Sequence, residues 1–371
     1  AMLAGIAVVP VTPAYALLSQ DFARLNYVDG LVEPKFIYVE DGQEYQRGLD
    51  GMAVNDRLVL YSRNAPDRHQ SQSLDAFAVA GGNSVAEAFD RLTSETVAKY
   101  MLTSGSTGEP KAVINTHGMI AANAKMIRSV WDEDRLAEVT GDVQVMCNFL
   151  PWSHTYGANA ILHNMLDWGG TLYLDWGAPT PARLPEMIRN LKEISTTQHT
   201  TVPAAGVALA TEFERDAALA EVFFDRICLM SYGGAAMGQD IYERIQNVAV
   251  GITGKPSSRS AGYGATETSG VASINTSDDN NIGTVGKPMP HTEIKIADSG
   301  EILIKGGNVF KGYWNMPEKT SETIQDGWLY TGDVGRIGND GALTITGRIK
   351  DIIITAGGKN ITPAELESRL K

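Results

Sequence analysis

The chain has 371 residues, of which 43% are hydrophobic, so it can bury a large core without disulfides or structural metals. Its 31 Lys and Arg residues against 44 Asp and Glu residues give a net charge of −13, which excludes a general binder of nucleic acids or anionic membranes. The two cysteines, Cys147 and Cys228, are far apart in sequence, and they indicate a reducing, cytoplasmic setting rather than a disulfide framework or a Cys-rich metal site.

The N-terminal segment, residues 1–18, is uncharged and fairly apolar. It lacks a basic start and contains Pro10 and Pro13, so it is a poor signal peptide or membrane helix, and we predict a buried strand instead. Because the chain enters this apolar run at once, we expect Ala1 to be an internal residue of a longer protein.

Residues 97–265 alternate short β-rich runs with helical periodicity, which predicts βα units around a largely parallel sheet. The clearest helix starts after Thr116 and carries an apolar stripe that only Asn123 interrupts. The predicted strands of this region are 97–102, 143–150, 171–174 and 227–230.

Closely spaced strands follow Gly283 and predict a smaller β-rich module, and the last twenty residues predict a strand, a Gly357-Gly358 turn and a helix opened by Pro363. The fold class is therefore α/β. We expect a large N-terminal domain with several subdomains and mainly parallel sheets over residues 1–349, followed by the start of a small α+β C-terminal domain over 350–371. The strands predicted here are 292–296, 301–305, 342–346 and 351–355.

A loop rich in glycine and hydroxyl residues follows the predicted strand 97–102 and is typical of a phosphate site, because small residues let backbone amides approach phosphate oxygens. Pro110 precedes Lys111 where a Walker A loop has Gly, and the residues after Lys111 look extended, so a kinase or GTPase P-loop is disfavoured. The alternative is an ordinary surface loop. The candidate phosphate-binding residues are Thr103, Ser104, Gly105, Ser106, Thr107, Gly108 and Lys111.

A second segment, residues 262–268, places an aromatic ring, a hydroxyl and a carboxylate beside two glycines. Tyr263 suits stacking on a base, Thr266 suits donation to a phosphate, and Glu267 suits Mg²⁺, which keeps oxygen ligands and bridges to phosphates. The alternative is a strand-end turn with Tyr263 in the core.

A third segment contains Asp333 and, after a short strand, Arg348. A carboxylate accepts hydrogen bonds from ribose hydroxyls, and a guanidinium offers a fixed fork of donors to ribose or phosphate oxygens. The alternative pairs both side chains with backbone groups of a hairpin.

Together these segments, in this order, resemble the core motifs of the adenylate-forming superfamily of acyl- and aryl-CoA synthetases, luciferases and peptide-synthetase adenylation domains. The segments that carry the resemblance are 100–111, 263–268, 330–333 and 347–367. Residues 150–157 are most similar to acid:CoA ligases of the feruloyl-CoA synthetase kind.

The resemblance implies an enzyme that uses ATP, Mg²⁺ and CoA to convert a small carboxylic acid first to an acyl-adenylate and then to a thioester. It makes Lys111, Thr266, Glu267 and His154 the catalytic set, with Glu267 on the metal and Lys350 at a hinge about which the C-terminal domain rotates. The remaining residues that it assigns to ATP or AMP are the phosphate loop, Gly233, Gly234, Ala235, Tyr263, Gly264, Asp333 and Arg348.

Departures from the family pattern concern the phosphate loop and the end of the chain, among others. Ala112 follows Lys111 where the family usually has Gly, which suggests a slightly altered loop. The chain also stops at Lys371, before the late C-terminal lysine that helps adenylation in the family, so we expect a fragment or impaired adenylation.

The acid is expected to be a simple carboxylic acid, because residues 154–158 lack the Asp that holds the ammonium in amino-acid-activating relatives. Mixed aromatics and glycines favour an aromatic, hydroxycinnamic-type acid over a medium-chain fatty acid. The same motifs also suit a carrier-protein-loading adenylation domain or a non-catalytic nucleotide-binding module. No membrane partner is expected, and a homo-oligomer is left open. The expected acid-binding residues are His154, Tyr156, Tyr232, Gly233 and Val271, with Trp152 and Val207 as further walls.

Overall fold

The computed structural model describes residues 1–78, 84–104, 108–131, 144–235, 237–276, 283–351, 353–354 and 360–361. The chain divides into two compact units. The first contains residues 1–118 and 310–321, and the second contains residues 119–309 and 322–371.

The first unit contains short helices and two small sheets. Strands β1, β2 and β3 form a parallel sheet, while β4 and β5 form an antiparallel hairpin in which Leu102 faces Ala112. The helices are α1 (Ala14–Leu17), α2 (Ala23–Val32), α3 (Gln46–Asp50), α4 (Leu74–Ala78) and α5 (Ser84–Asp90). The strands are β1 (Phe36–Asp41), β2 (Leu58–Arg63), β3 (Ser71–Ser73), β4 (Val97–Ser104) and β5 (Pro110–Thr116).

The prediction of a buried strand over residues 1–18 is wrong. A 3₁₀ turn (Met2–Ala4) and α1 occupy its two ends, and Val8 alone forms an isolated bridge with Lys99. Pro10 and Pro13 lack the amide donors that a ladder needs, and Leu18 is 80% exposed.

The second unit is built on a seven-stranded sheet in the order β12-β11-β10-β9-β8-β6-β7. Its strands β7, β6, β8, β9 and β10 are parallel to their neighbours, and β11 and β12 are added antiparallel. The strands are β6 (Val145–Asn148), β7 (Thr171–Leu174), β8 (Gln198–Thr201), β9 (Leu229–Tyr232), β10 (Arg259–Tyr263), β11 (Ser273–Ile274) and β12 (Lys287–Pro288).

Helices cover both faces of this sheet, as expected for parallel strands buried on two sides. Phe213, Phe223 and Ile245 belong to the helical layer on one face, whereas Ile127 and Ala160 belong to a separate buried cluster. The helices are α6 (His117–Val130), α7 (Leu162–Asp167), which continues a π-helical turn (Tyr156–Ile161), α8 (Leu184–Glu193), α9 (Pro203–Arg215), α10 (Ala217–Arg226) and α11 (Gln239–Thr253).

A curled antiparallel sheet completes the second unit, in the order β13-β14-β16-β15 with β17 paired to β16. A short pair, β18 with β19, follows it. The strands of the curled sheet are β13 (Thr292–Ile296), β14 (Glu301–Gly306), β15 (Ile324–Gln325), β16 (Trp328–Ile337) and β17 (Leu343–Arg348). The short pair consists of β18 (Ile353–Ile354) and β19 (Asn360–Ile361). Helix α12 (Pro317–Thr323) lies between β14 and β15 in the chain.

The predicted α/β class with mainly parallel strands and a β-rich module is confirmed. The predicted strand 227–230 begins two residues early, since β9 is Leu229–Tyr232. The start of strand 143–150, the turn Gly357-Gly358 and the helix after Pro363 lie outside the described residues, so the domain start at residue 350 stays a prediction. Among the described residues, no helix is long and apolar enough to cross a bilayer.

Candidate functional site

Two glycine-containing turns follow the carboxyl ends of the neighbouring parallel strands β9 and β10. Gly234, with φ 84°, and Ala235 are exposed after β9, and Gly264 is exposed after β10. Ligands of open α/β sheets bind at such carboxyl ends. Both turns leave backbone uncovered by side chains at this edge, which fits the close approach of a nucleotide.

The turn after β10 is tightly packed against the chain that returns beside it. A Cβ on Gly264 would lie 1.7 Å from the Gly270 carbonyl oxygen, so any side chain there would displace backbone. Thr268 Oγ1 accepts from Ala265 N at 2.8 Å and fixes the 3₁₀ turn Thr266–Thr268. The predicted residues Thr266 and Glu267 are therefore held on a rigid turn.

Tyr263 and Asp333 are joined by a hydrogen bond from Tyr263 Oη to Asp333 Oδ2 at 2.6 Å. Arg348 Nε donates to Asp333 Oδ1 at 2.9 Å, across the register pair Asp333 and Arg348 of β16 and β17. Burial, followed by the Asp333 charge, raises the pKa of Tyr263 well above its ordinary value, so its hydroxyl stays a donor. Asp333 and Arg348 thus pair with side chains, not with hairpin backbone.

A cavity of about 880 Å³, counted with its open mouth, lies in the second unit. It brings together five residues predicted to bind the acid and four of those predicted to bind nucleotide, Gly233 belonging to both groups. The predicted residues that line it are His154, Tyr156, Tyr232, Gly233, Gly234, Tyr263, Gly264 and Val271.

The cavity is shaped by residues at the parallel strands, by the π-helical turn and by helix α7, which continues that turn. Leu229 and Ser231 line it from β9, and Tyr232 and Gly233 line it where that strand ends. Tyr156 and Ala160 line it from the π-helical turn. A Cβ on Gly233 would lie 3.1 Å from the Tyr156 ring, so this glycine leaves room for the ring.

His154 lies where the chain leaves β6 and enters the π-helical turn, and it lines the cavity. Its Nδ1 accepts from Tyr156 N at 3.2 Å, which in the neutral ring leaves the proton on Nε2. Partial desolvation by the surrounding chain lowers the pKa of His154, although the residue as a whole is exposed. His154 is therefore neutral at pH 7 and presents an N–H donor.

Two of the expected walls do not line the cavity. Trp152 is 44% exposed, and Val207 is 46% exposed on α9. The helical stripe that places Leu209 and Phe213 in the core turns Val207 away from the cavity. Side chains of α6 and α7 line the cavity instead of these two residues. The spacing of these side chains in the sequence did not predict that role.

In the first unit, the candidate phosphate loop connects β4 and β5 in the chain. Thr103 and Lys111 form a register pair, and Lys111 Nζ lies 3.8 Å from the centroid of the Tyr313 ring, a cation–π contact. Gly108, with φ 90°, is exposed. Gly105, Ser106 and Thr107 lie outside the described residues, as does the Ser104 side chain.

Glu267 is the carboxylate offered for Mg²⁺, and it is half-buried on the rigid 3₁₀ turn. Within the described part of the chain, no group of three or more His, Cys, Asp or Glu residues could hold a metal. One carboxylate fits Mg²⁺ that is otherwise held by water and substrate phosphates. Lys350 is exposed in a 3₁₀ turn after β17, and its hinge role stays a prediction.

Comparison with known proteins identifies the family. The family model for "AMP-binding enzyme" matches residues 1–314. The chain belongs to the AMP-binding enzyme family. The predicted resemblance to adenylate-forming enzymes is confirmed at that level.

Several relatives of this AMP-binding enzyme are acyl-CoA ligases. A long-chain-fatty-acid–CoA ligase of Bacillus subtilis is 32% identical over 289 residues, 74% of this chain and 48% of the relative. A long-chain-fatty-acid–CoA ligase of Mycobacterium bovis is 56% identical over 110 residues, which are 30% of this chain and 18% of the relative. The chain thus spans about half or less of the length of these curated relatives.

The ATP-bound crystal structure of MatB from Rhodopseudomonas palustris is similar in fold, with a TM-score of 0.71 and 26% identity. The match covers 98% of this chain and 67% of that structure.

Proposed function

We propose that this chain is the acid- and ATP-binding part of an AMP-forming acyl-CoA ligase whose acid is a fatty acid. One observation carries the proposal. The same cavity is lined by the turns after β9 and β10 and by apolar side chains farther from those turns. Such continuity suits an acyl-adenylate, which has a nucleotide at one end and a hydrocarbon chain at the other.

In the first half-reaction, a carboxylate oxygen of the acid attacks the α-phosphorus of ATP, a P–O bond to the β-phosphate breaks, and pyrophosphate leaves. In the second, the CoA thiol attacks the acyl carbonyl, loses its proton, and AMP leaves. Both steps depend mainly on positioning and on neutralising charge. Mg²⁺, held by Glu267, would neutralise phosphate charge.

The chain's own residues have distinct tasks in this scheme. Asp333 and Arg348 hold the ribose, and Asp333 also fixes the Tyr263 ring that stacks on adenine. Thr266 donates to the α-phosphate, and Lys111 pairs with the outer phosphates. His154 offers its Nε2 proton to the carboxylate of the acid, since its Nδ1 accepts from Tyr156 N.

A fatty acid is preferred to a hydroxycinnamic acid on two grounds. The relatives from Bacillus subtilis and Mycobacterium bovis are named for long-chain fatty acids. Several cavity side chains, among them Ile127, Met146 and Met165, are flexible or aliphatic rather than flat. Flexible apolar side chains suit an alkyl chain better than a planar ring.

The test incubates the protein with ATP, Mg²⁺, hydroxylamine and either dodecanoate or ferulate, and then repeats it with CoA. Hydroxamate from dodecanoate reports the adenylate, and dodecanoyl-CoA with AMP reports the complete reaction. Hydroxamate from ferulate alone would favour an aromatic acid instead. Transfer to a phosphopantetheinylated carrier but not to CoA would indicate a carrier-loading domain, and binding of ATP without any hydroxamate would indicate a non-catalytic module.

A further inference from the structure

The far end of the cavity lies near the amino ends of the parallel strands. Leu229 and Gln198 face each other in register at the start of β9 and β8, and both line the cavity. Helix α7 ends at Asp167, and β7 begins shortly afterwards in register with Val145, the first residue of β6. The last turn of α7 therefore lies near the amino ends of these strands. Gly170 N donates to Met165 O at 2.9 Å and fixes this return.

Asn164 of that last turn and Trp168, directly after the helix, line the cavity, and the level of the turn places them at its far end. Trp168 N donates to Asn164 O at 2.9 Å, so the two residues stand one helical turn apart. Asn164 is 8% exposed. The Asn164 side chain is therefore buried, and Trp168 is half-buried with its Nε1 atom shielded from solvent.

Both side chains carry a polar atom that lacks a hydrogen-bond partner. Among the described residues, Asn164 Oδ1 and Trp168 Nε1 are buried and unpartnered. Leaving such a group unpaired costs about 1–3 kcal/mol, so buried polar atoms are normally paired. One is an acceptor and the other is a donor.

The side-chain amide of Gln198, at the same end of the cavity, differs because it has a hydrogen-bond partner within the protein. Gln198 Nε2 donates to Gln144 Oε1. The unpaired atoms are thus specific to the helical side of the cavity. This asymmetry calls for a ligand atom that can accept one hydrogen bond and donate another.

We propose that the far end of this cavity binds a hydroxyl group, so that the preferred acid is an aliphatic acid with a distal hydroxyl. A hydroxyl oxygen accepts from Trp168 Nε1 while its proton is donated to Asn164 Oδ1, and a methyl group can do neither. This inference rests on the proposed function, because it assumes that the cavity holds the acyl chain.

The strand geometry sets the distance between carboxyl and hydroxyl. Gly233 lies four residues after Leu229, so the two levels are roughly 13 Å apart at about 3.3 Å per residue. An extended chain with carbon–carbon bonds of about 1.5 Å advances roughly 1.25 Å per bond, which corresponds to about ten bonds. Acids with the hydroxyl near carbon 10 fit best.

The experiment measures, by calorimetry, the binding of two sulfamoyl-adenosine conjugates to the protein. One carries a 10-hydroxydecanoyl chain and the other an undecanoyl chain, which replaces the hydroxyl by a methyl group of similar size. We expect the hydroxylated conjugate to bind at least about tenfold more tightly, as two buried hydrogen bonds imply. Equal or weaker binding would overturn the inference while leaving the proposed function intact.

Two variants that each remove one of the two polar groups then locate the preference. Asn164→Leu and Trp168→Phe should each reduce the ratio of the two dissociation constants toward one, whereas Met165→Leu on the same wall should keep the ratio. An unchanged ratio in both variants, with cooperative melting retained, would contradict the assignment. If the wild-type protein binds neither conjugate more tightly than sulfamoyl-adenosine alone, the proposed function itself fails and the inference with it.

Discussion

Tyr263 and Asp333 are 70 residues apart in sequence, yet Tyr263 Oη donates to Asp333 Oδ2 at 2.6 Å and both side chains are buried. The bond connects the end of β10 in the parallel sheet with β16 in the curled sheet. The two segments that the sequence assigns to nucleotide binding are thus joined to each other by a buried hydrogen bond. A change in either residue should affect both stability and nucleotide binding.

Replacing Asp333 by Leu leaves the buried Tyr263 hydroxyl without its acceptor. We expect a loss of about 1–3 kcal/mol in the free energy of unfolding, measured by urea denaturation. Tyr263→Phe removes the donor instead, and the double variant should lose less than the sum of the two single losses. Asp298→Asn, at an exposed turn, is the control and should change stability by less than about 0.5 kcal/mol. Strict additivity in the cycle would contradict the coupling.

Gly264 should not tolerate a methyl group, because its Cβ would overlap the Gly270 carbonyl oxygen. Gly264→Ala is expected to lower the melting temperature and to weaken adenylate-analogue binding at least about tenfold. Gly251→Ala is the matched control. Its Cβ has no heavy atom within 4 Å and it lies inside α11, so alanine should stabilise the protein by about 0.5–1 kcal/mol. Similar melting temperatures for both variants would show that the turn is not tightly packed.

His199 should make the fold sensitive to acid. Among the described residues, neither ring nitrogen has a hydrogen-bond partner, and burial lowers the pKa of His199 from 6.5 to about 4. Between these values the unfolded chain binds the proton more readily, so stability falls as the pH drops from about 6.5 toward 4, by on the order of 3 kcal/mol.

His199→Phe should flatten this dependence of unfolding free energy on pH, because the ring already packs edge-on against Phe223. The exposed His291, replaced by Asn, should leave the dependence as in the wild type. An equal slope for the wild type and His199→Phe between pH 4 and 6.5 would contradict the assignment.

Lys111 is proposed to bind the outer phosphates of ATP, which an acyl-adenylate lacks. Lys111→Ala should therefore weaken Mg²⁺-ATP binding at least about tenfold, as expected for a charged hydrogen bond, and should affect a sulfamoyl-adenosine conjugate far less. Lys125→Ala is the control, because it removes the same charge at an exposed position of α6. Equal weakening of both ligands by Lys111→Ala would assign the lysine a structural role, for instance through its contact with Tyr313.

Local patterns predicted much of the fold, because they depend on neighbours in sequence. The apolar stripe of α6 predicted which of its side chains are buried, including Met119 and Ile127. The role of Asn123 was not predictable in this way. It interrupts the stripe because its Nδ2 donates to Val271 O at 2.8 Å, and that partner lies 148 residues away.

The site was predictable only in part, for the same reason. The glycine turns after β9 and β10 carry local motifs, whereas Asn164 and Trp168 carry none and reach the cavity only through the return of α7 along the sheet. Trp152 and Val207, expected as walls of the acid pocket, do not line the cavity, because aromatic or apolar character does not indicate which way a side chain faces.

The dissociation constants of dodecanoyl- and acetyl-sulfamoyl-adenosine test most directly whether the cavity holds a fatty acyl chain. Burial of each methylene contributes roughly 0.8 kcal/mol, so a chain that enters the cavity should tighten binding at least about a hundredfold. We predict that gain for this protein. Equal affinities would show that the cavity does not receive the acyl chain, and would contradict the proposed function.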